Sequence, residues 1–169
     1  MRTLNGNEPV VVRTAASDEY DLIGDLTVEV YVAGGLVSSA SPYVEKLRDT
    51  AARAADCELL IAEAGGEVGG AVTYCPPGSP YATLAGPDEA EFRMLAVLAS
   101  ARGKGIGRAL VRACADRARA AGLTGLRLST QQNMGDAHRL YERMGFVRTP
   151  CRDWAPAPGI DLLTYSLKF

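Results

Sequence analysis

The run VVVRTA (residues 10–15) is rich in β-branched residues and predicts a strand, and Ser17 and Asp18 then offer an N-cap to a helical pattern. Leu22, Ile23, Leu26, Val30 and Tyr31 recur at helical spacing, predicting a buried stripe that stops near Gly34-Gly35. Ser41-Pro42 places proline in a first turn, and Val44, Leu47, Ala51, Ala54 and Ala55 carry a second, thinner helix to Asp56. Residues 57–63 and 67–75 alternate as two strands of a hairpin joined at Ala64-Gly65-Gly66. The segment 76–90, PPGSPYATLAGPDEA, holds no period and reads as a long loop of the kind that lines sites. EFRMLAVLA (91–99) has a nearly unbroken apolar middle, the pattern of a strand buried on both faces. Ile106, Leu110, Ala113, Cys114 and Ala118 then mark a helix ended by Gly122, with Arg108, Arg112 and Arg119 on its outer side. Residues 126–130 alternate as a strand, and 136–144 form a short helix closed by Gly145. FVRT (146–149) and, beyond a break at Pro156 to Pro158, DLLTYSLKF (161–169) supply the last two strands. The resulting order is β-αα-βββ-α-β-α-ββ.

At 169 residues, with 47% hydrophobic and 22% charged residues, the chain is expected to fold as a single domain over 1–169. No stretch reaches the ~18 apolar residues of a membrane span, and the opening MRTLNGNEPVVV lacks the basic cap and apolar run of a signal peptide. A cytoplasmic protein that contacts no membrane is expected. Cys57, Cys75, Cys114 and Cys151 stand far apart and His138 is the one histidine, so no zinc site of ordinary spacing is expected and the cysteines read as thiols. A lone histidine without a G-x-S-x-G elbow also argues against a Ser-His-Asp hydrolase.

The net charge of −2 argues against sequence-independent nucleic-acid binding, yet it hides an asymmetry. Residues 1–99 hold 6 Lys+Arg and 15 Asp+Glu, a net of −9, whereas 100–169 hold 12 and 5, a net of +7. The basic part suits a polyanionic small molecule. Within it, Arg102-Gly103-Lys104-Gly105-Ile106-Gly107-Arg108 lies between a buried strand and an amphipathic helix, where backbone N–H groups and a helix N-terminus can hold phosphate. It is neither a Walker A loop, lacking Gly-Lys-Ser/Thr, nor G-x-G-x-x-G, its third glycine coming one residue early.

Arg102-x-x-Gly105-x-Gly107, preceded by MLAVL and followed by Ala109-Leu110-Val111, resembles the acyl-coenzyme A signature of the GCN5-related N-acetyltransferases (GNAT). Asn133-x-x-x-Ala137-x-x-Leu140-Tyr141-x-x-x-Gly145-Phe146 is similar to that family's second signature, and the element order to its whole fold. The resemblance covers nearly all of the chain and is thinnest over 16–56 and 76–90. It implies a GNAT-type α/β fold: a mixed, mostly antiparallel twisted sheet of about seven strands with about four helices. It implies acetyl-CoA as cosubstrate, no metal, direct transfer to an amine, and a homodimer. Leu95, Ala96 and Val97 match the splayed strand whose main chain pairs with pantetheine. The amides of Gly103 to Arg108, Lys104, Ile106 and Gly107 included, match the pyrophosphate cradle, with Arg102 and Arg108 adding charge. Asn133 matches a position that hydrogen-bonds pantetheine or orders its loop; an Asx turn is the plainer alternative.

Acetyl transfer to an amine requires that the amine lose a proton, that the oxyanion meet donors and that the thiolate be reprotonated. An amine of pKa ~10.4 is only about one part in 2,500 neutral at pH 7, worth up to ~4.6 kcal/mol of barrier. The resemblance assigns the acid to Tyr141, the base to Glu91 (directly or through water, or else a solvated strand-end carboxylate) and the oxyanion donor to a backbone N–H near Val97. His138, one turn before Tyr141, is a relay candidate or a surface residue. Trp154 and Tyr165 read as core or acceptor-wall residues. The acceptor is expected to be a small cationic amine, because Asp18, Asp21, Asp25 and Glu29 share one face of the first helix. A non-catalytic acyl-CoA-binding sensor on the same fold is the alternative. A macromolecular acceptor such as charged tRNA fits the acidic first half poorly.

Overall fold

The computed structural model of the chain describes residues 9–169, so the reading of the first eight residues as no signal peptide lies outside the described residues. Thirteen helices and strands follow one another: β1 (Val10–Thr14), α1 (Tyr20–Ala33), α2 (Tyr43–Arg48), α3 (Thr50–Asp56), β2 (Glu58–Ala64), β3 (Glu67–Cys75), β4 (Glu89–Val97), α4 (Ile106–Ala120), β5 (Gly125–Gln131), α5 (Gly135–Arg143), β6 (Val147–Arg148), β7 (Trp154–Ala157) and β8 (Ile160–Lys168). The fold is mixed α/β with an open, mostly antiparallel sheet. The described residues hold eight strands and five helices where about seven and about four were expected, in the order β-ααα-βββ-α-β-α-βββ.

The chain divides into two compact units, Met1–Thr73 with Met94–Ala113 and Tyr74–Arg93 with Cys114–Phe169. In the first, the strand order is β1-β2-β3-β4, and α1 packs on the sheet through Ile23 and Leu26 against Leu59, Ile61, Ala71 and Ala96. Leu22, expected in that stripe, is 47% exposed, because the buried side of α1 is centred on Ile23, Leu26 and Thr27. Ser17 and Asp18 do not cap α1. They lie in a 3-10 turn (Ser17–Glu19), and Glu19 turns back to accept from the Ala16 N–H at 2.9 Å while pairing with Arg13 at 2.7 Å. The expected single helix to Asp56 is two, because Asp49 leaves helical geometry (ψ 68°) and its carboxylate accepts from Ala52 N–H at 3.2 Å, capping α3. Arg53, fully buried, donates to the Lys46 and Leu47 carbonyls at 2.6 and 3.0 Å and so ties α3 to the end of α2.

Gly69 and Gly70 on β3 let α4 approach the sheet. A Cβ on Gly70 would lie 2.8 Å from the Ala96 carbonyl oxygen and 2.8 Å from Ile106 Cγ2, and one on Gly69 would lie 2.4 Å from Ile106 Cδ1. We expect Gly70→Ala to cost about 1–3 kcal/mol of stability, read from denaturant unfolding, since a backbone oxygen cannot swing aside as a side chain can.

In the second unit the order is β4-β5-β8-β6, with β7 paired to β8. β5 and β8 pair antiparallel over seven residues, from Gly125↔Lys168 to Gln131↔Leu162. The parallel register of β4 on β5 is short, from Glu89↔Gly125 to Glu91↔Arg127. β7 occupies the expected proline-rich break. It pairs with β8 alone, as an edge strand that tolerates Pro156, and its register shifts between Trp154 and Ala157 as a bulge does. The core here includes the aromatic rings of Phe92, Tyr141, Phe146 and Tyr165.

Candidate functional site

The nearly unbroken apolar middle of residues 91–99 predicts burial on both faces. Ala90, Glu91 and Phe92 are buried, but of the next five residues only Ala96 is. The change comes at Met94, whose φ of +56° is rare for a side-chain-bearing residue and turns the strand midway. Past that point, Leu98 N–H donates to the Gly69 carbonyl at 2.9 Å. Main-chain groups alternate in direction along an extended strand, so with Leu98 facing β3, Ala96 faces β3 as well and Leu95 and Val97 face the opposite side. The sequence carries no signal for this turn, since methionine is not a residue that left-handed backbone favours.

From Val97 the chain runs through a 3-10 turn (Ala99–Ala101) into the glycine loop and α4. Gly103 and Gly105 both hold φ of +79°, and a Cβ on either would meet nothing within 4 Å. Backbone conformation, not crowding, demands glycine there, and the space above the loop is open. Ile106 is buried as the anchor of α4, while Arg102, Lys104 and Arg108 are exposed. Among the described residues, those three cations make no ion pair, and no Asp or Glu occurs between Arg93 and Asp116. The first N–H groups of α4 have no intrahelical acceptor, as at any helix start. Unclaimed donors, a dipole end and three unpaired cations around open space form a site that fits a diphosphate. Leu95, Ala96, Val97 and Arg102 to Arg108 thus fall together in the first unit.

Glu91 and Tyr141 fall in the second. Glu91 is 2% exposed, so it is no solvated strand-end carboxylate. Its Oε1 accepts from Leu84 N–H at 2.7 Å and from Ala85 N–H at 3.2 Å. Burial pushes its carboxyl above the ordinary range, against the opposing pull of those N–H groups and of Arg93 and Arg127. Tyr141 is buried on α5, its ring centroid 5.9 Å from each of Phe92, Phe146 and Tyr165. His138 Nε2 lies 2.8 Å from the Gln131 carbonyl, which requires a proton on Nε2 and leaves Nδ1 as the acceptor of a neutral ring. Asn133 is exposed in the turn between β5 and α5; the N-cap residue of α5 is Met134. Tyr165 is core, donating to Glu142 at 3.3 Å, but Trp154 is not: it is 36% exposed and donates to Ser129 Oγ at 3.1 Å.

Sequence reasoning missed two further features. Gly69-Gly70 carried a readable signal, paired glycines inside a strand marking close approach. The Glu89–Arg127 ion pair at 2.8 Å did not, because nothing in the spacing of residues 89 and 127 announces a register between strands. Among the described residues, no group of His, Cys, Asp and Glu could hold a metal ion, and no helix is long and apolar enough to cross a membrane.

Comparison with known proteins bears on the same elements. The model of the acetyltransferase (GNAT) family matches residues 25–146. N-acetyltransferase family 8 member 2 of Rattus norvegicus is 37% identical over 89 residues, 53% of this chain and 38% of that relative's length. The PaiA N-acetyltransferase of Thermoplasma acidophilum, solved with coenzyme A, superposes with a TM-score of 0.73 at 16% identity, covering 95% of this chain and 99% of that one. The yncA protein of Salmonella typhimurium, solved with its cofactor acetyl-CoA, gives 0.69 at 19% identity over 95% and 94% of the two chains. The ribosomal-protein-alanine N-acetyltransferase of Brucella melitensis gives 0.69 at 20% identity over 94% and 99%. At these identities the likeness is one of fold.

Proposed function

Because this chain belongs to the acetyltransferase (GNAT) family, we propose that it is an acetyl-CoA-dependent N-acetyltransferase acting directly on a small cationic amine. The observation that carries the reading is the loop Arg102 to Arg108, with positive-φ glycines, unpaired cations and the start of α4. The coenzyme supplies an acetyl group activated as a thioester. In this reading the loop amides with Arg102, Lys104 and Arg108 hold the diphosphate, and Leu95 to Val97 offer main-chain partners to the pantetheine arm, joined by Asn133.

Glu91 then takes the amine proton as the C–N bond forms. Its burial suits it, since a carboxyl held above the ordinary range is a stronger base than a solvated one. The Val97 N–H donates to the acetyl oxygen as charge gathers there. Tyr141 returns a proton to sulfur as the C–S bond breaks, its phenol O–H being the donor. The proposal places the whole chain in one cytoplasmic catalytic domain, active as a homodimer, with no metal and no nucleic-acid partner.

The acceptor's charge is inferred from Asp21, Asp25 and Glu29 on α1 and Asp18 just before it, all exposed. Among the described residues, only Asp25 of these four meets a cation, Arg48 Nε at 3.9 Å, an exposed pair of little strength. Labelled acetyl-CoA offered to neutral, monocationic and polycationic amines tests activity and acceptor class together. Transfer to cations is expected, with a preference that fades between 0.1 and 1 M salt as the Debye length falls from ~10 to ~3 Å. Equal kcat/KM across the panel removes the charge argument. Binding without transfer to any amine makes the protein a non-catalytic acyl-CoA sensor.

A further inference from the structure

Three charged residues of β4 spaced two apart, Glu89, Glu91 and Arg93, all reach the same loop. Glu91 Oε1 accepts from Leu84 and Ala85 N–H at 2.7 and 3.2 Å, Glu89 Oε1 from Gly86 N–H at 3.0 Å, and Arg93 Nη1 donates to the Tyr81 carbonyl at 3.4 Å. Alternation along a strand puts these three side chains on one face, so they act as a row of fasteners. Arg152 grips the loop from elsewhere, donating to the Leu84 carbonyl at 3.1 Å. Leu84 is thus held at both its N–H and its C=O. Glycine at 86 belongs to the arrangement, since a Cβ there would stand 3.2 Å from Glu89 Oε1.

We propose that Glu91 is a positioning residue for the loop at 81–86 as well as a base: its ionised carboxylate holds the loop in the conformation that acceptor binding uses, so that loop order and acceptor affinity fall together when it is protonated. The proposal rests on the catalytic reading above for one point, that the amine delivering its proton to Glu91 must lie beside the loop whose amides touch that carboxylate. The clamp itself stands on the hydrogen bonds. A carboxylate accepts backbone N–H bonds about twice as strongly as a neutral carboxyl does, so protonation weakens both at once.

The two carboxylates titrate apart. Burial raises Glu91, whose other charged neighbours are Arg93 on its own strand and Arg127 on β5. Burial acts on Glu89 too, but the bonds from Arg127 and Gly86 N–H and the field of Arg127 and Arg152 bring its carboxyl below the ordinary range. Acidification therefore releases Leu84 and Ala85 first and leaves Gly86 tethered.

Amide NMR of the full chain during a pH titration, without coenzyme, tests this. The Leu84 and Ala85 amides are expected to move with one shared midpoint above the ordinary carboxylate range, Gly86 to stay put through it, and the acceptor KM to rise over the same interval with the KM for acetyl-CoA unchanged. In Glu91→Gln, neutral like the protonated carboxyl, the titration should vanish and hydrogen exchange at Leu84 should match at every pH the quickened rate the parent shows below its midpoint; in Glu91→Leu, which has no acceptor, exchange should quicken further, by about tenfold or more over the ionised parent. Leu84 and Ala85 amides that do not titrate in the wild-type protein would overturn the clamp, and that measurement needs no variant to fold. Wild-type turnover in Glu91→Gln, with the titration present in the parent, would uphold the clamp and remove Glu91 as the base.

Discussion

Gly105→Glu should weaken acetyl-CoA binding by at least ~100-fold, about 2.8 kcal/mol, measured by calorimetry on the folded variant. Two effects of the substitution separate cleanly. Gly105 sits at φ +79°, so any side chain strains the backbone by about 1–3 kcal/mol, a penalty on stability. Its Cβ direction is open, so the glutamate is not expelled by crowding and projects into the space the diphosphate would fill. There it sets a negative charge among the α4 amides and the cations of Arg102, Lys104 and Arg108, in a stretch that otherwise has no acid. Gly105→Asn is the control, because asparagine tolerates left-handed backbone and brings no charge. The asparagine variant should keep affinity within about tenfold of the parent, the two variants differing by charge more than by strain. Unchanged affinity in a folded Gly105→Glu protein would move the phosphate site elsewhere.

The loop was legible because its physics is local. Positive φ at Gly103 and Gly105, a buried Ile106 and a run without acids are all properties of a few consecutive residues. The same holds for the hairpin of β2 and β3 and for α4, whose periodicity sits in one window. Where sequence reasoning failed, the deciding interaction was between segments, or between side chain and backbone. Asp49 looks like any surface residue of a thin alanine-rich helix, yet its carboxylate starts α3 and ends the helix before it. Pro156 to Pro158 read as a break because proline interrupts a ladder, but β8 offers an edge on which a bulged strand can pair without the missing N–H. Leu22 and Ile23 both fit the helical stripe, and only packing on the sheet decides that Ile23 goes in and Leu22 out. Glu91 is the sharpest case. A carboxylate near a strand start is solvated unless something covers it, and what covers it is a loop whose sequence has no period from which its path could be read.

Tyr141→Phe should lower kcat by ~10²–10⁴-fold while leaving the affinity for acetyl-CoA within about threefold, because only the departing sulfur needs the hydroxyl. The environment makes the variant a clean one. Phenylalanine keeps the ring and hence the three aromatic contacts at 5.9 Å with Phe92, Phe146 and Tyr165, so the packing that holds α5 is retained. The Phe146 N–H donates to the Tyr141 carbonyl, a main-chain bond at the end of α5 that the substitution does not touch. A loss of turnover therefore reads as loss of a proton donor and not of structure, provided the unfolding midpoint moves by no more than one lost hydrogen bond, about 0.5–1.5 kcal/mol. Tyr165→Phe supplies the matched control: it removes a phenol from the same cluster, one whose hydroxyl is already committed to Glu142 and is held above its ordinary range by burial and then by that carboxylate. It should cost little in turnover. A further test lies in the leaving group, since an acyl donor whose thiol is more acidic needs less help from an acid and should narrow the gap between Tyr141→Phe and the parent. A Tyr141→Phe enzyme within threefold of wild type would make Tyr141 a packing residue, and the proton for sulfur would have to come from solvent.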